Sequence, residues 1–167
     1  MSNKLEIERK WKCDFDDFAI LMATSDDFVV KSKTAIYQKY LLISEEVEAR
    51  LRSRTNGEYS LTIKKGTGMT RSEIVINLNR EEFMRLTGDK NANSLVKTRF
   101  EVDFKGISYE IDSYSFKDFV IIEKEFTSQV DAESFVCNLD LNLKEVTNDE
   151  AYYNKNLIDS VNELELL

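Results

Sequence analysis

The sequence predicts an α+β protein built around eight antiparallel strands, enough to close a β-barrel, with flanking helices. Three observations carry that expectation. Polar and apolar residues alternate along eight successive segments, with the two-residue period of a strand. The connections between most of them are short, which suits an antiparallel meander. Eight strands are enough to close a barrel and remove the exposed sheet edges. The absence of proline permits long unbroken strands. With 167 residues, 42% of them apolar, the chain 1–167 reads as one domain with a real core.

The first strand is predicted over 4–12, followed by a helix over 15–23 with Asp14 as its cap. The second and third strands fall at 35–43 and 47–54, and Asn56-Gly57 then predicts a type I′ hairpin turn. The fourth strand covers 59–65. A flexible Lys65-Gly66-Thr67-Gly68 stretch leads into the fifth, 71–78. Asn79 and Glu82 have capping-box spacing for a short helix that stops at Gly88. The sixth strand is 95–104, and Lys105-Gly106 turns the chain into the seventh, 107–114. The eighth is 119–127. Helices are predicted near 132–139 and 150–164, the latter with Tyr153, Leu157, Val161 and Leu164 on one face.

Composition narrows the chemistry. There is no histidine, which excludes histidine acid–base catalysis, Ser-His and Cys-His nucleophiles and histidine-bound zinc. A metal site must then use oxygen ligands, which favours Mg²⁺, Mn²⁺ or Ca²⁺. Cys13 and Cys137 have no metal-ligand spacing and read as two reduced thiols of a cytoplasmic protein. The opening MSNKLEIERKWKC has no apolar run after its first charges, so no secretory signal is expected, and no stretch is apolar enough for a membrane span. A net charge of −8 repels nucleic acid and anionic membranes, so a polyanion would need cations gathered in one place.

Residues two apart on a strand share a face, and here those faces are sorted by sign. Glu6, Glu8 and Lys10 stand together, as do Glu110 with Asp112, and Glu123 with Glu125. Arg50, Arg52 and Arg54 form a basic face, as do Lys97 with Arg99, while Lys64 accompanies Thr62 and Arg71 accompanies Glu73. Any one of these faces, taken alone, reads first as the solvent side of a sheet. Closed with the polar side inward, they would set an anion-binding wall beside a cation-binding one.

In chain order, Glu6-Ile7-Glu8-Arg9-Lys10, Gln38-Lys39-Tyr40-Leu41, Arg50-Leu51-Arg52, Leu61-Thr62-Ile63-Lys64, Arg71-Ser72-Glu73, Lys97-Thr98-Arg99, Glu110-Ile111-Asp112, Glu123-Lys124-Glu125 and Glu145-Val146-Thr147 with Tyr153, Asn154 and Leu157 resemble the strand motifs of the CYTH superfamily, the triphosphate tunnel metalloenzymes, and of its bacterial triphosphatases in particular. Val75 replaces a glutamate common in that family, 138–144 lacks its usual stretch before Glu145, and Ala151 stands near a frequent arginine.

The resemblance implies a divalent-metal-dependent triphosphatase acting most readily on inorganic tripolyphosphate. The alternatives are a class IV adenylyl cyclase, a thiamine triphosphatase, or a non-catalytic polyphosphate or nucleotide binder. It implies Arg50, Arg52, Lys64, Arg71, Lys97 and Arg99 as the phosphate cradle. Glu6, Glu8, Glu123 and Glu125 would hold Mg²⁺ or Mn²⁺, with Glu73, Glu110 and Asp112 as additions. Lys10, Glu8 and Glu125 would act at the reacting group. Arg54 and Glu101 are expected at the rim and Asp103 outside the site, Tyr40 in the core, and the C-terminal helix in packing or across one mouth. The expected partner is a small-molecule triphosphate rather than a membrane or nucleic acid, with a homodimer left open.

Overall fold

The computed structural model describes residues 1–88 and 93–158. Its elements run β1 (Ser2–Asp14), α1 (Phe15–Thr24), β2 (Phe28–Ile43), β3 (Val47–Arg54), β4 (Tyr59–Lys65), β5 (Thr70–Leu78), α2 (Arg80–Thr87), β6 (Ser94–Phe104), β7 (Ile107–Ser113), β8 (Phe119–Phe126), α3 (Gln129–Ser134), β9 (Lys144–Glu145) and α4 (Asn154–Leu157), with a 3-10 turn at Glu150–Tyr152 before α4. No helix among the described residues is long and apolar enough to cross a membrane.

The ring order is β5-β4-β3-β2-β6-β7-β8-β1, and β1 pairs back to β5, so the barrel expected from the sequence is closed. Closure falls on β1. Its residues 2–7 pair antiparallel with β5 and residues 7–14 with β8. The strand thus changes neighbours at Ile7, and β9 covers Trp11 and Lys12 along the edge that β5 leaves. β2 is long for the same reason: residues 28–39 pair with β6 and residues 36–43 with β3. Such stagger tilts the strands, as a closed barrel requires.

The apolar side of the strands faces out. Trp11, Phe28, Phe100, Phe104, Ile111 and Ile122 form a buried cluster with Phe18 of α1 and Leu139 of the segment after α3. Phe18 is the hub, meeting Phe100 at 5.5 Å and Phe28 at 6.0 Å in edge-on contacts. A second cluster joins Tyr40, Leu95, Tyr114, Phe119 and Ile121 to Val146, Leu157 and Ile158. By strand alternation Tyr40, Leu95, Tyr114 and Ile121 share the inner face with the charged residues. One end of the barrel interior is therefore apolar and is closed by the chain from Val146 to Ile158.

Local chemistry explains most boundaries. Asn79 accepts from the Glu82 backbone N–H while Glu82 accepts from that of Asn79, the capping box predicted for α2, and the Gly88 N–H closes the helix on Met84. Asp14 holds the N-cap position of α1 but makes no side-chain cap bond, so the expected cap is absent. Asn56-Gly57 does not form the predicted type I′ turn. Only Gly57 has positive φ, and its N–H donates to the Arg54 carbonyl in a wider loop. The pair with positive φ at both central residues is Lys105-Gly106, φ 52° and 79°.

Other expectations also shift. β2 starts at Phe28 rather than 35, because residues 28–34 find partners along β6. The helix expected at 132–139 is α3, Gln129–Ser134: Ser128 caps it early, and Arg9 takes the Ala132 and Phe135 carbonyls where the chain turns extended. The helix expected over 150–164 is broken. Asp149 caps a 3-10 turn, and Tyr153 is extended with its hydroxyl donating to the Thr147 carbonyl. Val161 and Leu164 lie outside the described residues.

Phe18→Ala should lower stability by about 3–5 kcal/mol, because it empties the hub of the outer cluster. Urea unfolding would show this as a lower midpoint with an unchanged slope.

Candidate active site

The inner face encloses a cavity of about 1060 Å³, at the upper end of the roughly 300–1,000 Å³ usual for ligand sites. Its walls carry Glu6, Glu8 and Lys10 from β1; Arg50 and Arg52 from β3; Lys64 from β4; Arg71 and Glu73 from β5; Lys97 and Arg99 from β6; Glu110 from β7; and Glu123 and Glu125 from β8. The structure therefore brings together every predicted site residue except Asp112, which does not line the cavity. Arg54 and Glu101 also reach it, and Asp103 stays outside, accepting from the Gly106 N–H in a turn.

Buried charge is costly unless paired, and most of these groups are paired across strands. Lys64 meets Glu6 at 2.6 Å and Glu73 at 3.4 Å, and Arg71 meets Glu6 at 3.4 Å and Glu8 at 3.6 Å. A second network joins Lys10 to Glu123 at 2.5 Å and to Glu8 at 2.8 Å, and Arg99 to Glu123 at 2.6 Å and Asp112 at 2.7 Å. Arg99 also pairs with Glu110. Glu8 links the two networks. Glu125 is 55% exposed at the rim, held by Lys4 at 2.7 Å.

The pairing is uneven. Among the described residues Arg50 has only Glu48 at 3.5 Å and the Tyr40 hydroxyl at 3.4 Å. Among the described residues no carboxylate pairs with Arg52, and the Nε of both arginines is buried without a hydrogen bond. Loss of solvation, then crowding by Arg50, Arg99 and Arg54, lowers the Arg52 pKa to about 9. Loss of solvation and the neighbouring Arg50 also lower that of Lys64. Burial, reinforced by Arg99, brings Lys97 down to about 7 despite its contact with Asp112. Burial would raise Glu123, but Lys10 and Arg99 hold it well below the usual carboxylate range. For Glu110 burial wins and its pKa rises. The β3 side is thus cationic in excess.

The carboxylates show the complementary feature. Glu8 stands directly opposite Glu125 on neighbouring strands, and Glu110 opposite both Glu123 and Glu101. Like charges so placed repel unless a cation lies between them. The Glu8 Oε1 atom, although 2.8 Å from Lys10 Nζ, has no aligned hydrogen bond. Among the described residues no three of these carboxylates converge as a preformed metal cage, since lysines and arginines separate them.

Lys4 and Glu48 went unrecognised in the sequence. Each extends an alternation by one step, Lys4 two residues before Glu6 and Glu48 two before Arg50, which is the signal that would have found them. Tyr40 is both core and wall. Tyr153 and Asn154 also line the cavity, with Asn154 accepting from the Tyr114 hydroxyl.

The closed eight-stranded barrel, with cations and carboxylates sorted along its lumen, is similar in fold to the CYTH-type triphosphate tunnels that the sequence motifs resemble. The chain is 29% identical over 160 residues to an inorganic triphosphatase of Nitrosomonas europaea, covering 93% of this chain and 98% of that protein. The crystal structure of the inorganic triphosphatase NE1496 superposes with a TM-score of 0.60 at 25% identity, covering 92% of this chain and 93% of the other. A conserved hypothetical protein from Pyrococcus furiosus shares the fold, with a TM-score of 0.56 at 23% identity over 77% of this chain and 83% of its own. No family model matches the chain.

Arg52→Gln should stabilise the ligand-free protein, by about 1 kcal/mol or more, since it removes an enclosed cation that lacks a partner. In thermal melts the wild type should gain Tm with added tripolyphosphate, and the variant should start higher and gain little.

Proposed function

We propose that the protein hydrolyses inorganic tripolyphosphate held in its tunnel, releasing phosphate and pyrophosphate with the help of a divalent cation. The observation that carries this reading is Arg52 beside Arg50: guanidiniums with unused donors, inside a cavity where Lys10, Lys64, Arg71, Lys97 and Arg99 already face carboxylates. A polyphosphate supplies the missing anions. The likeness to an inorganic triphosphatase along nearly the whole of both chains supports it.

In this reading Arg50 and Arg52 grip phosphate oxygens with their planar forks, and Lys64, Arg71, Lys97 and Arg99 extend the cradle around the lumen. Phosphoryl transfer needs little beyond such positioning and charge stabilisation. The opposed carboxylates suit Mg²⁺ or Mn²⁺, because both take oxygen donors. Glu6, Glu8, Glu123 and Glu125 would hold the ion, with Glu73 and Glu110 within the same lumen. Bound there, a divalent ion would supply charge neutralisation and a more acidic water. Glu8, with its unaligned Oε1, and Glu125 orient that water and accept its proton. Lys10, paired with Glu8 and Glu123, would neutralise charge at the transferred group. Two free thiols suit a reducing cytoplasm.

A panel of tripolyphosphate, ATP and thiamine triphosphate, each with Mg²⁺, Mn²⁺ or EDTA, tests the reading by phosphate release. Tripolyphosphate should be cleaved fastest, and EDTA should abolish turnover. Cyclic AMP from ATP, or tight binding without turnover, would contradict it. Glu6→Gln and Glu125→Gln should each lower kcat by about 100-fold or more.

A further inference from the structure

We propose, resting on the triphosphatase reading, that Asp112 is a positioning residue that fixes Lys97 and Arg99 for the substrate, and not a ligand of the metal. The Asp112 side chain is fully buried, with a side-chain exposure of 0%, and does not line the cavity although it shares the inner face with Glu110. Arg99 Nε donates to its Oδ1 at 2.7 Å and Arg99 Nη2 to its Oδ2 at 2.7 Å. Lys97 Nζ donates to the same Oδ2 at 2.5 Å. Both oxygens are taken, and both donors lie on the next strand, where Arg99 sits directly opposite Asp112.

The clamp also decides which donors of Arg99 remain. The guanidinium has five N–H bonds. Nε and one Nη2 hydrogen go to Asp112, the other Nη2 hydrogen to Glu123, and one Nη1 hydrogen to Glu110. Glu110 is 42% exposed and its carboxylate can swing into water, whereas Asp112 has nowhere to go. The fixed partner therefore holds the Nε–Nη2 edge, and the exchangeable partner covers the Nη1 edge that turns toward phosphate. Long lysine and arginine side chains cost conformational entropy to order, and the buried carboxylate meets that cost before substrate arrives. Burial would raise Asp112, but Arg99 and Lys97 keep it below its ordinary value, so it remains charged.

Asp112→Asn tests the assignment, because metal and positioning roles move different constants. A positioning residue predicts that kcat for tripolyphosphate falls about 30-fold or more, while the Mg²⁺ or Mn²⁺ concentration for half-maximal activity stays within about two-fold. Half-saturation raised ten-fold, with activity restored by excess metal, would overturn it, as would an unchanged kcat. If Asp112→Asn does not fold, Asp112→Glu keeps the charge but lengthens the arm. It should show the same kcat loss at unchanged metal half-saturation, and wild-type kcat in that variant would overturn the clamp. A readout without turnover separates this inference from the triphosphatase reading. By NMR in EDTA the Arg99 Nε–H should exchange slowly in the wild type and fast in the variant, even if no triphosphate is hydrolysed. Equal exchange in both would refute the clamp.

Discussion

A closed barrel gives each strand one face toward the lumen and one toward its wrapping, and here the lumen holds the charge. The rest of the structure depends on how that enclosed charge is paired. Removing carboxylates and ammonium groups from water costs several kcal/mol each, and only close partners offset it. Cross-strand register supplies those partners: Lys10 faces Glu123, Lys64 faces Glu73 and Arg99 faces Asp112. The pairing is nearly complete on the β1, β7 and β8 side and incomplete around Arg50 and Arg52. A protein selected for stability alone would not leave two guanidiniums short of partners. In the proposed reading that shortfall is where the anion binds.

The outer face answers a different requirement. With the lumen polar, the apolar core has to lie outside the barrel, between the strands and the chain that wraps them. Phe18 of α1 and the extended run through Phe135 and Leu139 serve that purpose, and Arg9 pins the run by its carbonyls. At one end the interior itself turns apolar, where Leu95, Tyr114 and Ile121 meet Leu157 and Ile158. The charged chamber thus has a floor, with Asp112 and Lys97 close to the boundary. Fixed cations rest on that floor, and exchangeable carboxylates such as Glu125 and Glu110 stand nearer water.

Much of this was legible in the sequence because a two-residue period is simple and its consequences are strict. Once Arg50-Leu51-Arg52 is a strand, both arginines share a face. Once the sheet closes with Leu51 in the core, they share the lumen. What could not be read is what depends on register. Alternation puts Asp112 on the same face as Glu110, but only the pairing of β6 with β7 sets it against Arg99, and only depth separates a residue that lines the cavity from one that does not. Nor does spacing show that Gln38 and Thr62, rather than carboxylates, stand opposite Arg52 and Arg50. The C-terminal segment misled for a related reason. Its helical spacing at Tyr153 and Leu157 is real, but the Tyr153 hydroxyl is bound to the Thr147 carbonyl and the backbone extends to reach it.

The central claim is that the inward charge exists to hold a triphosphate and its metal. Crystals soaked with tripolyphosphate and Mn²⁺ test it directly. Phosphate density should lie against the Arg50 and Arg52 guanidiniums, with an anomalous manganese peak among Glu6, Glu8, Glu123 and Glu125. Phosphate bound only outside the barrel, with the ion pairs of Lys10 and Lys64 unchanged in the lumen, would contradict the account.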